Sequence, residues 1–289
     1  YFRDSQGCYS QRSAEIGGIM KIIVCIKQVP NTSEVKINPE TKTLIRDGVE
    51  SIINPDDKNA LEAALKLKDE NNAQVVVISM GPMQAKEALL EALAMGADSA
   101  YLISDRKFGG SDTWATATIL AAAIEKIGGY DLIICGRQAI DGDTAQVGPE
   151  IAEFLNIPQV TYAKELELKD GAVMVKRFCE SKDYEFEVKL PALITAIKEL
   201  NTARYPSVKG IFKAYEGDEE LVKVLTFDDL NVDETQIGIK GSPTNVHRSF
   251  VPVKEKHSEF IEGNTAMEKA KLLLTKLYEN KLIQSGGAK

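Results

Sequence analysis

Residues 131–148 read Asp131-Leu-Ile-Ile-Cys-Gly-Arg-Gln-Ala-Ile-Asp-Gly-Asp-Thr-Ala-Gln-Val-Gly148. The apolar run Leu132 to Cys135 is too short for a helix and ends at a turn residue, Gly136. That is the pattern of a strand buried on both faces of a parallel sheet. A polar loop follows, with Asp141-Gly142-Asp143 near its tip. Gly142 can take a positive φ without a Cβ penalty, and Asp143 is placed to cap a helix running from Thr144 to about Leu155. The amides of Thr144, Ala145, Gln146 and Val147 then point away from the strand ends. Backbone donors and the positive end of a helix dipole bind phosphate in such a position. A capped strand-to-helix turn with no ligand has the same pattern.

Two other turns belong with this one. Asn54-Pro55-Asp56-Asp57 opens a helix, with Asn54 as its cap and Pro55 at the position where a missing N–H costs nothing. Ser79-Met80-Gly81-Pro82 follows the β-branched run Gln74 to Ser79. In an open parallel α/β sheet, loops at the carboxyl ends of strands converge on one crevice. The remaining segments fall into place around them. Lys21 to Lys27 is a buried strand that Pro30 stops, and residues 32–53 are irregular or a short hairpin turning at Asp47-Gly48. Helical spacing carries Asn54 to about Glu70 and Met83 to Met95, the latter closed by Gly96. Ala100 to Ile103 is a short strand. Thr113 to Ile127 is a helix ended by Gly128-Gly129, with Trp114 packing near its start. Strands and helices alternate, which predicts a parallel sheet covered on both faces.

From Pro158 the pattern changes. Gln159 to Tyr162 begins a strand. Leu166 to Leu168 and Val173 to Val175 alternate around the tight turn Asp170-Gly171, a hairpin to which Tyr184 to Val188 adds a third antiparallel strand. Leu190 to Ala196 returns to the sheet. Residues 199–206 form a loop with one exposed-looking apolar residue, Leu200, and residues 213–229 are charged. Residues 232–253 have no clean period, so they are disordered or lie as an arm on a partner. A helix from Ala266 to Leu282 with a Leu272, Leu273, Leu277 stripe closes the chain.

The totals narrow the function. The chain has 289 residues, 35 Lys plus Arg against 43 Asp plus Glu, and a net charge of −8, which argues against nucleic acid and acidic membrane surfaces. No apolar run approaches the roughly 20 residues of a spanning helix. The 4 cysteines (Cys8, Cys25, Cys135 and Cys179) form no C-x-x-C pair, and two lie in core strands, as free thiols of a cytoplasmic protein do. Two histidines, His247 and His257, are too few for a His-based metal site. No strand leads into G-x-G-x-x-G, and Walker A is absent, which counts against a stand-alone NAD dehydrogenase. No side chain stands out as a general base or nucleophile. Residues 1–19 read as a cloning-derived or upstream leader, with Met20 as the natural start.

Together these pieces resemble the beta subunit of electron transfer flavoproteins. The likeness runs from Met20 to Ile283. It rests on Val24-Cys-Ile-Lys-Gln-Val-Pro30, Asn54-Pro-Asp-Asp57, Ser79-Met-Gly-Pro82 with Leu93-Ala-Met-Gly-Ala-Asp98, Gly136-Arg-Gln-Ala-Ile-Asp141 and Leu190-Pro-Ala-Leu-Ile-Thr-Ala196. Val175-Lys-Arg177 fits the family's hairpin signature, whereas Phe178 to Lys182 departs from its acidic-glycine consensus. The resemblance implies an α/β fold with a parallel doubly wound sheet, adenine-nucleotide alpha-hydrolase-like, carrying an antiparallel extension. The α/β domain is expected over 20–225, and a C-terminal arm packing on a partner over 226–289.

The resemblance further implies a heterodimer with an alpha subunit that holds one FAD. The beta subunit holds AMP in the respiratory branch and a second FAD in the bifurcating branch. Pro30, Asp143 to Gly148 and Gly241-Ser242-Pro243 look like the bifurcating branch. There NADH reduces the FAD of this subunit; one electron goes to ferredoxin or flavodoxin. The other goes through the alpha-subunit FAD to a flavin dehydrogenase, expected to be acyl-CoA linked. The implied nucleotide site is Cys25, Asn54, Asp56, Asp57, Met80 and Gly81 with Gly136, Arg137, Gln138 and Ala139, then Asp141, Gly142, Asp143, Thr144, Ala145, Gln146 and Val147. Asp56 and Asp57 suit adenine or ribose hydroxyls, or merely decorate a helix start. Arg137 suits a reduced flavin ring or a surface ion pair, while Cys25 and Met80 are read as wall. The implied docking loop carries Leu200 as apolar anchor with Asn201, Arg204 and Tyr205. The alternatives are the AMP-holding respiratory carrier and, in another class, a non-redox adenine-nucleotide sensor.

Overall fold

The computed structural model describes residues 19–31, 36–37, 44–45, 50–216, 221–247 and 258–283. The chain divides into two compact units, the first ending at His247. The first is built on β1 (Lys21–Cys25), β6 (Gln74–Met80), β7 (Ser99–Ile103), β8 (Leu132–Gly136) and β12 (Ala192–Ala196). With β9 (Gln159–Lys169), β10 (Ala172–Arg177), β11 (Tyr184–Lys189) and β13 (Val222–Leu225), these make a nine-stranded sheet among the described residues, ordered β11-β10-β9-β12-β8-β1-β6-β7-β13. The strands from β9 and β12 through to β13 pair in parallel, while β10 runs antiparallel to both β9 and β11. Short pieces β2 (Gln28–Pro30) with β5 (Ser51–Ile53), and β3 (Lys36–Ile37) with β4 (Leu44–Ile45), pair separately.

Period-2 alternation inside the central strands divides the core in two. Ile22, Val24, Val75, Val77, Leu132 and Ile134 face one side, where α1 (Pro55–Asn71) and α2 (Lys86–Met95) bring Leu61, Leu65 and Leu89 against them. Ile23, Val76, Ile78 and Ile133 face the other. There α3 (Thr113–Ile127) and α4 (Val147–Phe154) supply Ile119, Ile124 and Ile151. Each such fully buried side chain contributes about 1.5–3 kcal/mol. From β1 the chain steps through β6 to β7 on one side, then crosses by α3 to β8 on the other side of β1. The loops leaving β1 and β8 therefore part, which is where open α/β sheets form their ligand crevice.

Many local expectations hold. Helix α3 has the bounds that its glycines and aspartate predict: Asp112 accepts from the Ala115 amide, and Gly128 closes the helix with φ 63°. The β9–β10 turn places Asp170 at φ 50° and Gly171 at φ 77°, as a two-residue hairpin with primed geometry requires.

Four expectations are corrected. The helix after β8 starts at Val147, three residues later than the predicted Thr144, and Asp143 does not cap it. Nor does Gly142 take the left-handed conformation; Asp143 (φ 56°) and Ala145 (φ 54°) do. Strand β13 sits inside the stretch read only as charged; it has four residues and pairs in parallel with β7 at the sheet edge. The segment after Thr226 is not a free arm over its whole length. Leu230 and Ile237 are buried in the core, and α6 (Gly238–Gly241) donates the Gly238 amide to Ser111 Oγ at 3.1 Å. Residues 226–247 thus belong with the α/β unit, not with the expected 226–289 arm. The Asp47-Gly48 turn, the leader up to residue 18 and residues 248–257 lie outside the described residues.

Helix α5 (Val208–Tyr215) follows the residue 199–206 loop, with Ser207 Oγ accepting from Gly210 N. In the second unit, α7 (Ala266–Glu279) is capped by Thr265 and buries none of its side chains. Among the described residues, no helix is long and apolar enough to cross a membrane.

Candidate functional site

The carboxyl ends of β1, β6, β7 and β8 open onto a cleft of about 1050 Å³. That is at the top of the range for cofactor sites, roughly 300–1,000 Å³. Its floor is organised by one carboxylate. Asp57, in the first turn of α1, accepts from the Lys27 amide at 2.7 Å and from the Gly136 amide at 3.1 Å, so it ties together the chain leaving β1 and the end of β8. A Cβ on Gly136 would lie 2.1 Å from Asp57 Oδ1 and 2.7 Å from the Asp56 carbonyl carbon, which leaves room only for glycine. Burial pushes the Asp57 carboxyl up to about 7, against the pull of the Lys27 amide.

The loop above the floor is clamped by Asn54, which is fully buried. It precedes α1 but caps nothing. Its amide donates to the Gln138 carbonyl at 2.8 Å, and its Oδ1 accepts from the Ile140 amide at 3.0 Å. Lys27 Nζ holds the tip through both oxygens of Asp141, at 2.8 and 2.9 Å. Gln138 donates to Asp143 Oδ1. The clamped loop then reaches α4 through the two left-handed residues Asp143 and Ala145, a backbone form that turns successive N–H groups into an anion-binding concavity. Among the described residues, no acceptor within the chain takes a hydrogen bond from the amides of Thr144, Ala145 or Gln146.

Charge and aromatic surface complete the site. Arg137 Nε lies 3.2 Å from Asp56 Oδ2, yet neither atom makes a hydrogen bond although both are buried. Burial raises the Asp56 carboxyl and the Arg137 charge opposes it. On the far wall, Asp112 Oδ2 accepts from the Thr244 amide at 2.8 Å and from its hydroxyl at 2.7 Å, which folds Pro243 to Val246 along the rim. Trp114 packs edge-on to Phe154 with ring centroids 4.8 Å apart, and it remains 44% exposed to the cleft. Glu150 Oε1 accepts from Thr113 Oγ1 at 3.2 Å while Oε2 is buried without a partner; burial raises this carboxyl too. Among the described residues, no three His, Cys, Asp or Glu side chains are grouped to hold a metal.

A family model described as an electron transfer flavoprotein domain matches residues 41–226. The chain is also 59% identical over 245 residues to the electron transfer flavoprotein subunit beta of Thermoanaerobacterium thermosaccharolyticum, covering 85% of this chain and 93% of that one. The chain belongs to the electron transfer flavoprotein family. It is 52% identical over 265 residues to the caffeyl-CoA reductase-Etf complex subunit CarD of Acetobacterium woodii, covering 91% of this chain and all (100%) of that one. Over 272 residues it is 47% identical to the acryloyl-CoA reductase electron transfer subunit gamma of Anaerotignum propionicum, with 91% and 100% covered.

An electron transfer flavoprotein must accommodate a flavin or its adenine nucleotide, and the cleft fits that requirement in shape and donors. The amides at residues 144–146 suit a diphosphate, and Trp114, Met80 and Phe108 give the lining apolar surface that suits a flat ring. Of the residues expected to bind it, Cys25, Asp57, Met80, Gly81 and Gly136 line the cleft. So do Arg137, Gln138, Ala139 and Gly142, and all of Thr144, Ala145, Gln146 and Val147. Asn54, Asp56, Asp141 and Asp143 are not part of this lining and act on the loop through the hydrogen bonds and ion pairs described above. Asp57, read as suiting adenine or ribose hydroxyls or a helix start, gives one acceptor site of each oxygen to a main-chain amide.

Sequence reading missed Ser111, Thr113, Glu150 and the 243–246 rim. The run Gly109-Gly110-Ser111-Asp112 after β7 was a signal for the first of these.

In the expected docking loop, Leu200 is partly buried against the family fold's own core, so it is not the free anchor the sequence suggested. Asn201 exchanges hydrogen bonds with Asn59, and Arg204 is held by Glu62 and Asp69. Tyr205 is the projecting side chain, 93% exposed.

Proposed function

We propose that this beta-type chain holds FAD in the cleft, pairs with an alpha subunit carrying another FAD, and works in electron bifurcation. On this reading electrons from NADH divide between ferredoxin or flavodoxin and, through the alpha-subunit FAD, a flavin dehydrogenase acting on an acyl-CoA. Bound FAD supplies the two-electron acceptance and one-electron release; the chain supplies position and electrostatics. The observation that carries the proposal is the concavity of unpaired amides at residues 144–146, held over a floor that Asp57 locks. The names of two relatives, a caffeyl-CoA reductase complex subunit and an acryloyl-CoA reductase subunit, support the acyl-CoA linkage.

Within the site, the free amides neutralise a diphosphate and fix its register. Arg137, ion-paired with Asp56 but without a hydrogen bond at Nε, would supply positive charge to a reduced, negatively charged ring bound in the cleft. Asp57, Asn54 and Lys27 position the loop through their hydrogen bonds to it. Cys25, Cys135 and Cys179 are free thiols, in keeping with a cytoplasmic location. The test is the nucleotide content of the purified heterodimer. Two FAD and no AMP per dimer is the expected result. One FAD with one AMP would assign the chain to the respiratory carriers, and adenine nucleotide without any flavin would make it a sensor.

A further inference from the structure

Cys25 is the last residue of β1, and Cys135 lies next to the last residue of β8. The two strands pair in parallel with these residues opposite each other. Ile23 and Ile133, two residues earlier, belong to the α3–α4 side of the core. Cys135 is buried in that same cluster and Cys25 packs against it, so both thiols project to one face. Paired strands lie about 4.7–4.9 Å apart, inside the Cα separation of roughly 4.4–6.8 Å that a disulfide bridges. The neighbouring Cys25 thiol, and burial after it, push the Cys135 thiol up. Both border the cleft, where Cys25 is partly exposed and Cys135 only 5% exposed.

We propose that Cys25 and Cys135 are a modification site: a dithiol at the cleft floor that small-molecule disulfides convert reversibly to a protein disulfide. The Cys25 thiolate attacks one sulfur of the reagent. The reagent S–S bond breaks, and one small thiol leaves with a proton from solvent. The Cys135 thiol gives its proton to solvent and attacks Cys25 Sγ, releasing the second small thiol. Two protein thiols are oxidised and one reagent disulfide is reduced to two thiols. Exposure sets the order, because Cys25 is the more exposed of the two. Side chains on neighbouring parallel strands project side by side, so closing the bond pulls the strand ends together. Strained disulfides of this kind are the easily reduced ones. Lys27 and Gly136 follow closely on the two cysteines and share Asp57, so oxidation displaces the floor of the cleft. The bond needs no nucleotide and stands apart from the proposed function.

The test treats the purified protein, with any partner that accompanies it, with glutathione disulfide. Free thiols are then blocked with N-ethylmaleimide, and an unreduced digest is read by mass spectrometry. The expected product is one cross-linked peptide pair joining Cys25 to Cys135, lost on treatment with dithiothreitol. Cys135→Ser should trap a glutathione adduct on Cys25, and Cys25→Ser should leave Cys135 unmodified. A stable glutathione adduct on Cys25 beside a free Cys135 in the unsubstituted protein would overturn the proposal, as would no modification of either. The unsubstituted protein alone decides if a variant fails to fold.

Discussion

Asp57 shows how one residue carries both the site and a pH dependence. Its carboxyl sits at about 7 in the fold, against about 3.9 in an unfolded chain. Between those values the folded state holds a proton that the unfolded state lacks. The stability Asp57 contributes is therefore complete below about pH 4 and lost as pH rises through about 7. Asp57→Asn should flatten that part of the pH dependence of Tm; an unchanged slope would mean the carboxyl titrates normally. Gly136 is the complementary case. Gly136→Ala forces a methyl group to within 2.1 Å of Asp57 Oδ1 and 2.7 Å of backbone. Overpacking of this kind costs about 1–3 kcal/mol, so a lowered denaturant midpoint with an unchanged m-value is expected. None of this was legible beforehand. The string Asn-Pro-Asp-Asp announces a helix start, but nothing local says that Asp57 and Asn54 turn away from their own helix to bind main chain about 80 residues further on.

At the scale of elements, legibility followed periodicity. Strands β1, β6 and β8 and helices α1 and α3 have strong runs and clear end residues, and the sequence places them to within a few residues. Strand β13 has four residues, two of them lysine and half-exposed valine, and it exists because β7 offers it an edge. The loop from Arg137 to Gln146 misled for a related reason. Asp143 looks like a helix cap, yet the tertiary clamp from Asn54 holds the loop away from helical geometry until Val147. Asn54→Ala removes a donor to the Gln138 carbonyl and an acceptor from the Ile140 amide. Leaving a buried group unpaired costs about 1–3 kcal/mol. The expected signature is local: hydrogen exchange should quicken across residues 137–146 while β6 keeps its protection. Uniform acceleration through the sheet would instead mean that Asn54 supports the whole fold. The docking loop gives the same lesson in reverse, because a leucine that looks exposed in sequence is partly buried against its own domain, while Tyr205 projects.

For the whole molecule, the order of strands decides where the site lies. The reversal of direction at β1 and β8 parts two loops, and the clamped main chain lines the gap with unpaired amide donors. Donors of that kind suit a bound nucleotide, and membership of the electron transfer flavoprotein family agrees with it. The sequence contains 1 tryptophan, Trp114, and it lines this cleft, so the molecule has a built-in reporter. The most direct measurement is Trp114 emission during titration of nucleotide-depleted protein with FAD. The account predicts saturable quenching by energy transfer to the flavin at one FAD per chain, reversed by excess AMP competing for the same amides. Trp114 emission that stays constant at saturating FAD would contradict it.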